Sequence, residues 1–255
     1  MSDDHKHRAR IFLHRGDLFH AREAWEAAVA DDRLAGNRRA LSDSLGNLGN
    51  TCALLDDFAL AEACYREVLD IQRTEQDRQA IAHTLVNLGN LHVGAGRPEK
   101  ARPYYLEALD LLRALKDDRA LGILYTNLAL QEAREGQGEQ AVASFRLALD
   151  HHRMVGNEEG LAVTYSQLGK CFLDQGDLVQ AERCLNNASE HYIKLGHEPA
   201  EAAVLRLLAT VYESRRDLVS ARRCLDRVLS LDHRYKLPET QADAERLARV
   251  SRPDC

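Results

Sequence analysis

Apolar and polar positions repeat along this chain with a period of 40 residues. Each copy has an alanine, a large apolar residue four positions later and a small apolar residue seven positions later. Residues spaced by four and seven share one face of an α-helix, so the pattern predicts an amphipathic helix in every copy. The alanines are Ala21, Ala61, Ala101, Ala141, Ala181 and Ala221, and the large residues are Trp25, Tyr65, Tyr105, Phe145, Leu185 and Leu225.

A second helix is predicted in each copy by a leucine that stands thirteen residues before the alanine. These leucines are Leu48, Leu88, Leu128, Leu168 and Leu208, and each is followed by Gly or Ala. A small residue at that point lets two helix backbones approach closely. A fixed period over nearly the whole length indicates stacked copies of one supersecondary unit, here a pair of helices. The expected fold class is therefore all-α, an array of repeats without a central core.

The turns between the helices repeat as well. Gly16, Gly96, Gly136 and Gly176 are placed to end first helices in a left-handed conformation, and Asp17, Asp57, Asp177 and Asp217 are placed to cap second helices. Two departures are Pro103, which we expect to bend a second helix, and Arg216, which replaces the turn glycine. We expect six repeats and a C-terminal capping helix with a tail, at about 1–36, 37–76, 77–116, 117–156, 157–196, 197–236 and 237–255.

The capping helix is expected to begin near Pro238 and to end near Val250. Its apolar residues are Ala242, Ala244, Leu247, Ala248 and Val250, and they alternate with Asp243, Glu245, Arg246 and Arg249. A terminal repeat exposes its stacking face unless something covers it, so we expect the apolar residues to cover the last repeat. No comparable helix precedes the first repeat, and a self-association contact at that end is an alternative.

Composition and charge narrow the class of partner. Hydrophobic residues make up 45% of the 255 residues and aromatic residues only 5%, which suits alanine- and leucine-rich helices. The formal net charge of −6 argues against nucleic acid, because proteins that bind the phosphate backbone carry a concentrated basic face. No segment approaches the roughly 20 apolar residues of a membrane span, and no apolar leader opens the chain, so we expect a cytoplasmic protein without membrane insertion.

The sequence carries only weak signals for a catalytic or metal site. The six cysteines (Cys52, Cys64, Cys171, Cys184, Cys224 and Cys255) form no CxxC pair, so free thiols are expected. The eleven histidines lack the spacing of a metal site, and no motif of a nucleophile with its base appears. We therefore expect no enzymatic activity, no catalytic residues, no metal and no cofactor.

Large-small pairing, the Leu-Gly step and the central alanine together resemble the tetratricopeptide repeat. The Asn-Leu-Gly-Asn segments at 47–50 and 87–90 are similar to the Leu-Gly-Asn-type repeats of G-protein-signalling modulators and, more loosely, of kinesin light chains. The resemblance covers residues 5–235, and a period of 40 rather than 34 indicates longer helices. The resemblance implies a right-handed superhelical α-solenoid. It is a strong indication of the fold but a weak indication of a specific partner.

Asparagines mark the candidate binding surface. At about 100° per residue, Asn47 and Asn50 lie on the helix side opposite Leu48 and point away from the core. In the family that the chain resembles, this side of the first helices lines a concave groove, and asparagines at these two positions bind the backbone of an extended peptide. The matching positions hold Asn47, Asn87, Asn127 and Gln167 in one set, and Asn50, Asn90, Leu130 and Lys170 in the other.

Residues beside this ladder are expected to tune specificity. They include His83 one turn before the ladder and Arg134 one turn after it. A peptide that mixes apolar and acidic side chains is favoured by Arg134 and Lys170, although both charges can equally be solvated. The leading hypothesis is an adaptor that binds a peptide segment of another protein through the amides. The alternatives are amides that serve only the structure, a scaffold acting through its N-terminal end or convex face, and a receptor for a short signalling peptide.

Overall fold

The structure is a computed structural model that describes residues 2–235 and 238–251. Those residues form α-helices joined by short turns and include no strand, so the all-α expectation is confirmed. No helix among them is long and apolar enough to cross a membrane. The helices are α1 (Ser2–His14), α2 (Leu18–Leu34), α3 (Arg38–Leu54), α4 (Phe58–Glu75), α5 (Arg78–Gly94), α6 (Pro98–Leu115), α7 (Asp118–Arg134), α8 (Gly138–Met154), α9 (Glu158–Asp174), α10 (Leu178–Leu195), α11 (Glu198–Ser214), α12 (Leu218–Tyr235) and α13 (Thr240–Val250).

The chain divides into two compact units, Met1–Ala120 and Leu121–Cys255. The first unit contains α1 to α6, and each of these helices packs against the next along the chain. The second unit contains α7 to α13, and from α8 onward each helix again packs against the next. Odd-numbered helices up to α11 are called first helices and even-numbered ones second helices. Each unit thus repeats one pair of helices, and no central core is needed.

Local chemistry explains where the helices begin and end. The carboxylate of Asp57 accepts a hydrogen bond from the Leu60 backbone N–H (3.2 Å), and Asp17, Asp177 and Asp217 cap their helices in the same way, as predicted. Arg216 adopts the left-handed conformation (φ 59°) that glycine holds in most of the other copies, so the turn survives the substitution. Helix α6 continues through Pro103 rather than ending there.

Large and small side chains interlock inside each helix pair. The periodic alanines are buried, and Tyr105 and Phe145 fill the space between helices. A methyl group on Gly89 would lie 2.2 Å from the Tyr105 ring, and one on Gly49 would lie 2.8 Å from the Tyr65 ring. Gly49 and Gly89 therefore make room for the tyrosine ring of their own repeat, whereas the sequence predicts a close approach of two helix backbones at these positions.

The N-terminal end of the first unit is polar. Asp4 and Arg8 are exposed, whereas the residues one period later, Ser44 and Leu48, are buried between helix pairs. The first helix pair therefore presents charge where an internal pair presents its stacking face. Beneath this surface the carboxylate of Asp32 accepts hydrogen bonds from Ser2 Oγ and Ser44 Oγ, both at 2.6 Å, and pairs with Lys6 at 3.0 Å.

Helix α13 caps the second unit through charge, and the expected apolar packing face is only partly present, because Leu247 and Val250 are half-buried but the alanines are not. Asp243 is the residue of α13 that is buried, whereas Ala242, Ala244 and Ala248 are exposed. The surface below supplies Arg206, which donates to Asp243 (2.6 Å) and Asp232 (2.5 Å). Burying a guanidinium without a carboxylate is costly, so the acidic side of α13 docks. The helix begins at Thr240, two residues after Pro238.

Candidate functional site

A cleft of about 370 Å³ opens on the first-helix face of the first unit. First helices α3 and α5 form its two walls, and the start of α4 contributes Phe58. Three amide side chains and an apolar floor meet there, an arrangement that suits a peptide backbone with one apolar side chain. The lining residues are Asn50, Ala53, Leu54, Phe58, Tyr65, Asn87, Asn90, Leu91 and Gly94.

Two of these amides are held by tyrosines of the same repeat. Tyr65 donates its hydroxyl hydrogen to Asn50 Oδ1 at 2.6 Å, and Tyr105 donates to Asn90 Oδ1 at 2.7 Å. The amide oxygen of each of these two asparagines therefore serves its own helix pair. Because Oδ1 is fixed toward the tyrosine, the Nδ2 donor of exposed Asn50 is held away from it, at the rim of the cleft.

The sequence carries a signal for these tyrosines that asparagine positions alone do not reveal. Asn50 and Asn90 each stand fifteen residues before a tyrosine. Where the equivalent residue is Leu130 or Lys170, the residue fifteen positions later is Phe145 or Leu185, which has no hydroxyl. Asparagine thus accompanies tyrosine within a repeat, because a nearly buried hydroxyl needs an acceptor.

The remaining predicted amides and His83 lie in different surroundings. Asn47 donates Nδ2 to the carbonyl of Asp43 on its own helix at 2.7 Å, and it does not line the cleft. His83 is exposed, and its Nε2 lies 3.6 Å from an Asp117 carboxylate oxygen. Asn127 is half-buried on α7. The structure therefore groups Asn50, Asn87 and Asn90 and leaves these three outside the group.

A second cleft, of about 240 Å³, lies on the first-helix face of the second unit. Gln167 and Lys170 of α9 line it together with Arg134 of α7, so three predicted site residues meet here. Asp174 offsets part of the positive charge, and Phe145 lies at the base. This cleft is more strongly charged than the first, which suits an acidic or mixed side chain. The lining residues are Leu130, Ala133, Arg134, Phe145, Gln167, Lys170, Cys171 and Asp174.

Replacing Tyr65 with Phe should lower the free energy of unfolding by about 1 kcal/mol, the usual contribution of one hydrogen bond, because Asn50 loses its donor. Urea denaturation followed by circular dichroism measures the change. The control is Tyr192→Phe, at a tyrosine whose hydroxyl has no hydrogen bond among the described residues, and its change should stay below about 0.5 kcal/mol. An equal loss in both variants would contradict the proposed support of Asn50.

The thiols and histidines of the described residues do not form a reactive centre. Cys52, Cys64, Cys171, Cys184 and Cys224 are free, as predicted, whereas Cys255 lies outside the described residues. Burial raises the pKa of the Cys64 thiol to about 12, so the reactive thiolate is scarce at neutral pH. No group of three His, Cys, Asp or Glu side chains in the described part of the chain is arranged to hold a metal ion.

The family model of the tetratricopeptide repeat matches the sequence in four overlapping stretches, residues 43–114, 80–153, 120–188 and 160–232. Together these stretches span most of the chain. The chain belongs to the tetratricopeptide repeat family. Tetratricopeptide repeats are helix pairs, which agrees with the first and second helices of both units. Among curated proteins, none matches this chain in sequence.

Solved structures with tetratricopeptide-like folds resemble this one at low sequence identity. BtubC (BKLC) from P. vanneervenii matches with a TM-score of 0.78 and 21% identity over 86% of this chain and 92% of that one. A Rap protein complexed with Competence and Sporulation Factor matches with a TM-score of 0.70 and 13% identity, over 96% of this chain and 73% of that one. A putative kinesin light chain from Podosopora anserina matches with a TM-score of 0.63 and 16% identity, over 76% of this chain and 95% of that one. These likenesses support the tetratricopeptide fold, including the resemblance to kinesin light chains.

Proposed function

We propose that this tetratricopeptide repeat protein is a non-enzymatic adaptor whose first-helix face binds an extended peptide segment of a partner protein. The observation that supports the proposal is the cleft of about 370 Å³ in which Asn50, Asn87 and Asn90 surround an apolar floor. Amides both donate and accept, so they can pair with the N–H and C=O groups of a peptide backbone whatever its sequence. Leu54 and Phe58 offer a pocket for one apolar side chain.

The second unit's cleft is proposed as a peptide site in its own right. Arg134 and Lys170 can pair with an acidic side chain, and Gln167 can bind backbone. A partner protein or peptide fits both clefts, and the net charge of −6 does not favour nucleic acid. Asn47, Asn127 and His83 remain proposed contacts of a longer segment, outside the two clefts.

Comparison with known structures supports a protein or peptide partner at the level of the fold. The similar Rap protein was solved in complex with Competence and Sporulation Factor. That complex favours, as a second candidate, a receptor in which a short signalling peptide occupies the same clefts. The scaffold alternative has less support, because Asp4 and Arg8 place charge on the N-terminal end.

Selection of short random peptides on the purified full chain tests the proposal. We expect enriched peptides whose affinity falls about tenfold in the double variant Asn50→Ala/Asn87→Ala, because each amide loses hydrogen bonds to the peptide backbone. Gly94→Leu should also block binding, since the added side chain would project into the cleft, and the residue one period earlier is already leucine, Leu54. Fluorescence anisotropy with a labelled peptide gives the dissociation constants.

Asn187→Ala is the matched control, since this asparagine lies on second helix α10 and donates to the carbonyl of Arg183. Its peptide affinity should equal that of the unchanged chain, and circular dichroism should show the same helix content in all variants. Peptides that bind equally well after Gly94→Leu would place the site elsewhere and refute the proposal.

A further inference from the structure

Ion pairs join successive second helices in the first unit. Arg33 on α2 donates to Glu67 on α4 at 2.6 Å, and Arg73 on α4 donates to Glu107 on α6 at 2.9 Å. In both pairs the glutamate follows the arginine by 34 residues, so the pair repeats with the helix pairs. Arg33 and Arg73 are therefore neutralised by glutamates of the next second helix.

The pair is missing at the equivalent place in the second unit. Arg153 of α8 occupies the arginine position, but the residue 34 positions later is Asn187. The amide of Asn187 donates to the carbonyl of Arg183 on its own helix at 2.7 Å instead. Arg153 turns to its own helix and to α9, donating to Asp150 Oδ1 (2.7 Å) and to the Tyr165 hydroxyl (2.6 Å).

A cleft of about 270 Å³ lies between α8 and α10 at this point, with α9 as its floor. Arg146, Arg153 and Arg183 line it together with a single carboxylate, Asp150. Three positive charges and one negative charge leave a net charge of +2 in a partly enclosed space. Tyr165 and Phe172 of α9 make the floor aromatic.

Two of these arginines lack partners, unlike most second-helix arginines. Neither Arg146 nor Arg183 forms a salt bridge within residues 2–235 and 238–251. Arg66 and Arg227, by contrast, pair with carboxylates at 2.7 Å and 3.0 Å. Isolated exposed arginines are commonly just solvated, but two of them beside Arg153 around one cleft concentrate positive charge and hydrogen-bond donors in one place.

We propose that this cleft binds a phosphate monoester carried on an aromatic or apolar stem, the chemistry of a phosphorylated tyrosine side chain of a partner protein. A phosphate monoester carries a charge of about −1.5 to −2 at neutral pH, which matches the net charge of the cleft. Guanidinium groups bind phosphate oxygens in a bidentate manner, and the aromatic floor provides contact for the stem. A monocarboxylate would neutralise only half of the charge.

The site differs from the peptide clefts of the proposed function in position and chemistry. The peptide clefts lie between first helices, whereas Arg146 and Arg183 stand on second helices. Loss of peptide binding after Gly94→Leu, a residue of the first unit, would leave the phosphate site intact. The two proposals can therefore fail independently.

Nuclear magnetic resonance titration of the full chain with phenyl phosphate tests the assignment, with benzoate and inorganic phosphate as comparison probes. We expect phenyl phosphate to shift amide resonances of α8 and α10 and to bind at least about tenfold more tightly than either comparison probe, since each lacks the second charge or the stem. Arg183→Gln should weaken phenyl phosphate about tenfold because one charge-assisted contact is lost.

Asn187→Glu is the decisive variant, because it restores the carboxylate that neutralises Arg33 and Arg73 in the first unit. The new glutamate should pair with Arg153 and abolish phenyl phosphate binding without loss of helix content. Ser230→Glu on α12 adds the same charge outside the cleft and should bind like the unchanged chain. Equal binding by Asn187→Glu and the unchanged chain would overturn the proposal, as would benzoate or inorganic phosphate binding as tightly as phenyl phosphate.

Discussion

Replacing Arg206 with Met should destabilise the second unit by about 3 kcal/mol at neutral pH, the scale of a buried ion pair that loses one partner. Arg206 joins the two carboxylates beneath and within the capping helix, and Asp232 is 0% exposed. Without the guanidinium, Asp232 and Asp243 would be two like charges in one poorly solvated place. We expect α13 to detach and the α11/α12 pair to unfold first, because a repeat contacts only its neighbours.

This destabilisation should shrink as the pH falls. Burial raises the pKa of Asp232, and the positive charge of Arg206 opposes that rise. Removing Arg206 raises the pKa of Asp232 further, so the folded state takes up a proton more readily than the unfolded chain. A carboxyl group whose pKa is raised in the folded state stabilises the fold at low pH, and this contribution is lost as the pH rises through the folded-state pKa. Urea denaturation at neutral and mildly acidic pH measures the difference.

Two variants make the Arg206 result interpretable. Arg234→Met removes an exposed arginine that pairs with Glu198 at 2.9 Å, and its effect should stay below about 1 kcal/mol at either pH. Asp232→Asn in the Arg206→Met background should recover part of the lost stability, because it removes a buried charge. A loss in Arg206→Met that is equal at both pH values would contradict the electrostatic explanation.

Replacing Gly89 with Ala should destabilise the first unit by about 2 kcal/mol, although alanine is the better helix former. The new methyl group would lie 2.2 Å from the Tyr105 ring, a distance that forces the ring to move. Tyr105 is almost completely buried and donates its hydroxyl hydrogen to Asn90, so its displacement also disturbs the proposed peptide cleft. Thermal and urea unfolding measure the loss, and peptide affinity should fall with it.

The matched control is Gly94→Ala on the same helix. A methyl group there would lie 3.6 Å from Phe58, an ordinary van der Waals contact. We expect this variant to be neutral or up to about 1 kcal/mol more stable, because alanine replaces glycine near the end of a helix. If Gly89→Ala were as stable as Gly94→Ala, the close packing of α5 on Tyr105 would not limit stability.

Helix positions and caps were predictable because their causes are local. The aspartate at 57 precedes its helix by one residue and finds its backbone donor three residues later, whatever the rest of the chain does. Contacts between different helices were less predictable. The outward side of Asn50 followed from its place on the helix, but its bond to Tyr65 depends on how α3 and α4 are rotated against each other.

The capping helix shows the limit of pattern alone. Its alanines suggested an apolar packing face, but they are exposed. The face that carries Asp243 docks instead, because the guanidinium of Arg206 on α11 needs carboxylate partners. The sequence alone did not indicate the arginine cleft. Only the ion pairs Arg33–Glu67 and Arg73–Glu107 in the structure show which glutamate partner Arg153 lacks. A comparison between repeats detects such a loss only after the structure shows which positions touch.

The sequence by itself determined the all-α repeat, the register of its helices, the caps and the face on which each side chain lies, because these follow from residues within a few turns of one another. The tertiary structure decided which side chains meet: Asn50 with Asn87 and Asn90, Arg134 with Gln167 and Lys170, and Arg206 with Asp232 and Asp243. Those groupings join residues on different helices, and the rotation and spacing of packed helices, rather than local spacing, bring them together.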